Sequence, residues 1–237
     1  DLKVRRHALI PERGMAWRVV RIGIPNFFEG IAMWSVNFFI LMFIGVIAAA
    51  EAVEGTAREG LVGAHIIAVQ WEAFSFLPGF AMGTAAGALA GQYLGAGSVA
   101  MARRAIMVCS GIGVAFMGLL GIVFMTSGTA LTRVISDQPV HLEEAPPLLF
   151  ICGAVQVFFA LVMVVRQALR GVGDTRACLA ITVVSNYGVR LPLAWLLGVH
   201  LGLGLTGIWL GLCSELVVRG SLFGARFLQG GWAKVRV

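Results

Sequence analysis

The sequence predicts an all-α integral membrane protein, a bundle of six transmembrane helices, and three observations carry that reading. Hydrophobic residues make up 59% of the 237 and charged residues only 13%, with a mean hydropathy of +0.89, outside the range of soluble domains. Six apolar runs, at about 22–48, 61–94, 105–127, 146–169, 177–200 and 203–228, each reach the roughly 20 residues a spanning helix needs. Short stretches rich in glycine, proline and charge separate them, at 51–60, 95–104, 128–147, 171–176 and around Gly202 and Gly204. The runs are too long for barrel strands, which alternate over about ten residues.

Charge placement orients the runs. A net charge of +6 and a pI near 9.8 would raise nucleic acid as a partner in a soluble chain, but here the basic residues follow the connections. Lys3, Arg5, Arg6, Arg13, Arg18 and Arg21 precede the first run, and Arg103 and Arg104 lie between the second and third. Arg166, Arg170 and Arg176 surround the next such break, and Arg226, Lys234 and Arg236 close the chain. The alternate connections hold only Arg58 and Arg133, with Glu51, Glu54, Glu59, Asp137, Glu143 and Glu144. Lys and Arg resist translocation, so both termini are expected in the cytoplasm. The expected organisation is a basic amphipathic connector at 1–21, a membrane lobe at 22–229 and a tail at 230–237. Residue 1 is Asp, and the chain reads as a piece of a longer protein.

The second run carries Gly79, Gly83, Gly87, Gly91 and Gly95, each four residues apart. On a helix they form a groove without side chains, and small residues are what let helices approach closely in lipid. Gly198 with Gly202, Gly207 with Gly211 and Gly220 with Gly224 repeat the device. Pro78, beside the ladder, predicts a kink. Cys109, Cys152, Cys178 and Cys213 show no spacing for zinc or a disulfide framework and read as small buried residues.

Ionisable groups inside a span are costly, roughly 2.5–3.5 kcal/mol on insertion scales, and so are candidate functional residues. Glu29 shares one helical face with Asn26, Met33 and Asn37; a carboxylate, two amides and a sulfur suit a cation or a proton. Glu72 lies near the middle of the second run with His65 on the same face, an acid that could load a proton beside a ring that could relay it. Arg190 stands in line with Asn186 and Thr182, before Pro192, where it must face water or neutralise a carboxylate. For each of these a structural bond is the alternative. Glu215 and Arg219, four apart, should pair, and Asp174 with Arg170 and Arg176 should tie a turn. No nucleophile elbow, phosphate loop or metal-ligand spacing is present. The chain is therefore not expected to be an enzyme or to carry a cofactor.

Two stretches resemble a known family. Gly63, Ala64 and His65, then Phe76, Leu77, Pro78 and Gly79, then Gly83, Thr84, Ala85 and Ala86, and on through Gly91, Gln92, Tyr93, Leu94, Gly95, Ala96 and Gly97 resemble a helix of multidrug and toxic compound extrusion (MATE) transporters. Leu169, Arg170, Gly171, Val172, Gly173, Asp174, Thr175 and Arg176 resemble their signature turn between the tenth and eleventh helices. Gly23, Ile24 and Pro25, and the ending from Gly207, Ile208 and Trp209 to Trp232, sit where that family has them.

The resemblance covers the whole chain and aligns it to the C-terminal six-helix lobe of a twelve-helix, two-lobed transporter. It implies an antiporter of the cell membrane that expels amphipathic or cationic organic compounds in exchange for H⁺ or Na⁺, with a missing N-terminal lobe as its partner. Glu29 falls on the helix where the family carries a coupling carboxylate, about one turn nearer the cytoplasm. The expected substrate or coupling-ion residues are Glu29, Glu72, Asn26, Asn37, Asn186 and Arg190. Two alternatives stay open. One is a lipid-linked oligosaccharide flippase of the same superfamily, whose cavities are strongly basic, whereas here only Arg190 reads as deep. The other is a lobe with no transport of its own.

Overall fold

A computed structural model describes residues 13–53 and 59–234. Residues 1–12 of the connector, with Lys3, Arg5 and Arg6, and also Glu54, Arg58 and Arg236, lie outside the described residues. Every element is helical: α1 Arg13–Val53, α2 Leu61–Gly95, α3 Val99–Ile135, α4 Pro139–Ala154, α5 Gln156–Gly171, α6 Thr175–Ser185, α7 Leu191–Ala194 and α8 Gly204–Gln229. π-helical turns at Asn186–Arg190 and Trp195–His200 join α6 and α7 into one continuous fifth span. A short 3-10 turn, Gly231–Lys234, follows α8. Among the described residues five helices are long and apolar enough to cross a membrane, and the bent α4–α5 pair, counted as one span, brings the number to six.

That pair departs from the straight helix the sequence predicts at 146–169. Two 16-residue helices meet at Val155, bent by 59°. Two contacts with different directions explain the bend. In α4, Gly153 presses on α3, where an added Cβ would lie 2.5 Å from the Gly121 carbonyl. In α5, the backbone instead follows the α2 glycine ladder. The chain reconciles the two at Val155, whose φ and ψ of −104° and 5° leave the helical region.

The ladder works as the spacing predicts. Carbonyls of Met163, Gln167 and Gly171 sit over Gly83, Gly87 and Gly91, where added Cβ atoms would come within 2.8, 2.9 and 3.3 Å of them. Gly207 and Gly211 of α8 receive the backbone of the fifth span in the same way, whereas Gly95, Gly202 and Gly224 face open space. With no hydrophobic force between helices in lipid, such close approach supplies the dispersion contacts that hold the bundle.

Two turns share one hydrogen-bond pattern. At the end of α2 the Gly97 and Ser98 amides donate to Leu94 and Tyr93; at the end of α5 the Gly173 and Asp174 amides donate to Arg170 and Leu169. Gly97 and Gly173 have φ of +80° and +88°, the left-handed conformation a Schellman ending requires. α2 runs unbroken across Pro78. In the fifth span Pro192 is flanked by π-helical turns, whose wider coil accommodates a missing amide.

Packing at the ladder can be tested by one methyl group. An added Cβ at Gly171 would lie 2.5 Å from the Gly87 carbonyl, while at Gly95 it meets nothing within 4 Å. Gly171→Ala should cost about 1–3 kcal/mol by overpacking and lower the melting temperature in detergent, with Gly95→Ala close to neutral. Equal melting of the two variants would remove the ladder from the packing argument.

Candidate functional site

A cavity of about 550 Å³ opens between α1, α2, α5, the first π-helical turn and α8. Its polar lining is Asn37 from α1, His65 and Glu72 from α2, Arg166 from α5, Arg190 from the π-helical turn and Arg219 from α8. Phe76, Phe80, Phe159 and Trp209 supply apolar walls.

Glu72 faces the cavity. Its backbone carbonyl accepts from the Ser75 hydroxyl at 2.7 Å, and Ser75 accepts in turn from Gln156 Nε2 at 2.9 Å, which fixes this turn of α2 against α5. Among the described residues no hydrogen bond or ion pair closes on its carboxylate. His65, two helical turns before it on the same face, is 7% exposed. Its Nδ1 accepts from Trp209 Nε1 at 3.1 Å, which puts the ring proton on Nε2. Arg190 donates from Nη2 to Asn37 Oδ1 at 3.1 Å, and its Nε is buried without an acceptor. The expectation that Arg190 neutralises a carboxylate is not met by direct contact; an amide oxygen of α1 accepts its hydrogen bond instead.

Glu29 is differently placed from what its face suggests. It is fully buried and does not line the cavity. Arg170 Nη2 lies 2.5 Å from Oε2, Arg166 Nη1 3.5 Å from Oε1, and the Thr182 hydroxyl donates to Oε1 at 2.9 Å. Arg166 also reaches Met33 Sδ at 3.3 Å. This is a closed clamp that ties α1 to α5 and the fifth span. A carboxylate held by two guanidinium groups and a hydroxyl has its charge answered by the protein itself.

Of the other expected residues, Asn37 joins the cavity, while Asn26 and Asn186 do not. Asn26 keeps its Oδ1 buried and without a partner, as Asn186 does both amide atoms. Glu215 and Arg219 form the expected pair, 3.0 Å apart, with side-chain exposures of 0% and 3%. Asp174 pairs with Arg226 of α8 at 2.8 Å, not with Arg170 or Arg176, because Arg170 is taken by Glu29.

The sequence reading missed the arginines of α5. Arg166 counted only as a topological marker and Arg170 as a marker and a partner of Asp174, yet their spacing of four places both on one face, and that was the available signal. Arg190 is accordingly not the only deep cation: Arg166 and Arg219 line the same cavity.

Against this geometry, the profile of the MatE family matches residues 25–196. The chain belongs to the MatE family. A probable multidrug resistance protein NorM of Thermotoga maritima is 28% identical over 234 residues, covering 99% of this chain and 48% of that protein. The multidrug resistance protein NorM of Burkholderia vietnamiensis is 34% identical over 169 residues, 69% of this chain and 37% of that protein. The fold matches a crystal structure of MATE in the bent conformation, with a TM-score of 0.82 at 16% identity over 97% of this chain and 49% of that one. An inward-facing multidrug resistance MATE transporter of the MOP superfamily matches with a TM-score of 0.73 at 16% identity, over 99% of this chain and 52% of that one. This MatE chain thus spans about half the length of the relatives it matches, its fold matches half of a MATE structure, and its family is one of multi-pass membrane transporters, not of enzymes.

The clamp predicts a strong effect of Glu29 on stability. Glu29→Ala leaves Arg166 and Arg170 buried without their acid, a loss of about 3–5 kcal/mol. The full-length transporter carrying it should melt well below wild type by heating and gel filtration. Glu29→Gln, able to keep the Thr182 bond, should fall between. Unchanged melting of the alanine variant would show that the clamp does not hold α1.

Proposed function

We propose that this chain is the C-terminal lobe of a MATE-type secondary antiporter in the cell membrane, with both termini cytoplasmic, exporting amphipathic or cationic organic compounds in exchange for an ion. The missing N-terminal lobe completes the path, and the lobes alternate access between the two sides. The observation that supports this best is Glu72, an acid without a partner that lines a cavity of drug-like volume. Glu72 takes the exchange role, and Glu29 serves the scaffold. Proton and substrate then compete for one carboxylate, and each weakens the other by linkage.

A proton suits the cavity better than Na⁺. The side chains around Glu72 include guanidinium groups of Arg166, Arg190 and Arg219, which repel a metal cation and offer it no oxygen, whereas Na⁺ needs several. The same arginines favour a second reading, flipping of an anionic lipid-linked sugar. Two of the three already have acids paired with them, Arg166 with Glu29 and Arg219 with Glu215, which leaves only Arg190 of these three without an ion pair where such a headgroup would need several.

Export can be tested in vesicles holding the full-length transporter. Glu72→Gln should lower proton-driven ethidium efflux at least about tenfold, a barrier change of about 1.4 kcal/mol, while its melting temperature stays near wild type. Wild-type efflux in that variant removes Glu72 from the exchange. Movement of a labelled lipid carrier without ethidium efflux would establish the second reading instead.

A further inference from the structure

A second opening lies between α1 and the fifth span. It is a groove of about 530 Å³, walled by Phe28, Ile31 and Ala32 on one side and by Leu179, Val183 and Tyr187 on the other. It shares no lining residue with the cavity of Glu72, and Phe28, Ile31 and Tyr187 are exposed in it. The links between the two helices keep nearly constant sequence separations, 153, 152 and 153 residues at Glu29–Thr182, Ser35–Tyr187 and Asn37–Arg190. The helices therefore rise side by side in the same direction. In that register Arg176, which lines the groove, stands level with Gly23, and Arg21 lies about 3 Å further toward the start of α1. Arg21 precedes Phe28 by seven residues, two turns earlier on the same face. Two cations thus bracket one end of the groove.

Neither cation is answered by the protein. Both are exposed, and among the described residues neither has an ion-pair partner. The nearby acids are engaged elsewhere, Asp174 with Arg226 and Glu29 with Arg166 and Arg170. The opposite end is closed by Tyr187, whose hydroxyl bonds to Ser35 and to the Ala32 carbonyl. From Arg176 to Tyr187 the helix rises about 16 Å at 1.5 Å per residue. Half of a hydrocarbon core about 30 Å thick is about 15 Å. Unpaired cations at the mouth, apolar walls and a stop at the depth of one leaflet match the shape and charge of a single lipid.

We propose that this groove is a binding site for an anionic phospholipid, with its phosphate between Arg21 and Arg176 and one acyl chain along Phe28, Ile31 and Val183 as far as Tyr187. The orientation proposed above makes it a lipid of the cytoplasmic leaflet, where anionic headgroups are concentrated. Phosphatidylcholine fits the apolar walls equally well but brings its own ammonium to the arginines, so the selection is by net charge. The bound lipid touches α1 and the fifth span together and adds a bridge between them that the side chains do not supply.

The test places p-benzoylphenylalanine at Leu179 of the full-length transporter, in nanodiscs with phosphatidylcholine in excess over phosphatidylglycerol. Adducts formed on irradiation are identified by mass spectrometry. The same probe at Leu119 of α3, which is 61% exposed and off the groove, reports the bulk lipid. Phosphatidylglycerol should be enriched at least about fivefold at Leu179 over Leu119. Arg21→Gln with Arg176→Gln should remove the enrichment, and Arg21→Lys with Arg176→Lys should keep most of it, since an ammonium also binds phosphate. The same lipid ratio at both probe positions overturns the proposal, and that comparison needs no arginine variant to fold. Enrichment that survives the double glutamine variant overturns it as well. Adducts at Leu179 to a peptide of the other lobe also overturn it, because a protein face then covers the groove. Each of these failures leaves the export reading standing, since no groove residue lines the cavity.

Discussion

The interior charges of this bundle obey one constraint: in a medium that solvates ions poorly, each must find a counter-charge within the protein or a place beside water. Arg166, Arg170 and Glu29 meet it together, with Thr182 completing the acid's coordination. Arg219 and Glu215 meet it on consecutive turns of α8. Since the penalty for an unanswered ion is several kcal/mol, the Glu29 clamp decides which helices must be neighbours, while the Glu215–Arg219 pair settles its charges within one helix. α1, whose Gly14, Gly23, Gly30 and Gly45 meet no neighbour within 4 Å, is joined to α5 and the fifth span by polar bonds. The carboxylate of α1 is therefore part of the framework, and the acid of α2 is the one left facing open volume.

Backbone approach sets the rest of the architecture. α5 lies in the α2 groove because a glycine on every fourth residue admits its carbonyls. α8 lies against the fifth span through Gly207 and Gly211, where the neighbouring backbone would meet an added Cβ at 2.5 Å in both cases. The bend at Val155 comes from satisfying two such grooves with one stretch of chain. Dispersion is short-ranged, so a single methyl group at the closest crossing acts on the whole assembly.

Much of this was legible in the residues. The spans, the glycine groove and the Glu215–Arg219 pair follow from periodicity, and the Gly97 and Gly173 turns from local chemistry. Asn37, Glu72 and Arg190 reach one cavity, as burial of polar groups in apolar runs led one to expect. The bend at Val155 was not legible, because its causes lie on α3 and α2, far away in sequence. The partner of Glu29 was hidden for the same reason: a helical face shows what one helix offers, and says nothing of which arginine comes to meet it. Asn26 and Asn186 shared faces with functional-looking neighbours yet turned into the packing. The exchange of partners at Asp174, from Arg170 to Arg226, followed once Arg170 was occupied elsewhere.

Among the described residues four hydrogen bonds join α1 to the fifth span: Thr182 to Glu29, Tyr187 to Ser35 and to the Ala32 carbonyl, and Arg190 to Asn37. Rungs at three heights make a stiff strut of the two helices, with the guanidinium of Arg190 mounted on it. The opposite wall, bearing Glu72, is pinned by its glycines to α5. Both walls of the cavity therefore converge on α5, which the Glu29 clamp holds to α1 and the glycine groove holds to α2. A shift of that one helix is transmitted to both sides of the open volume at once.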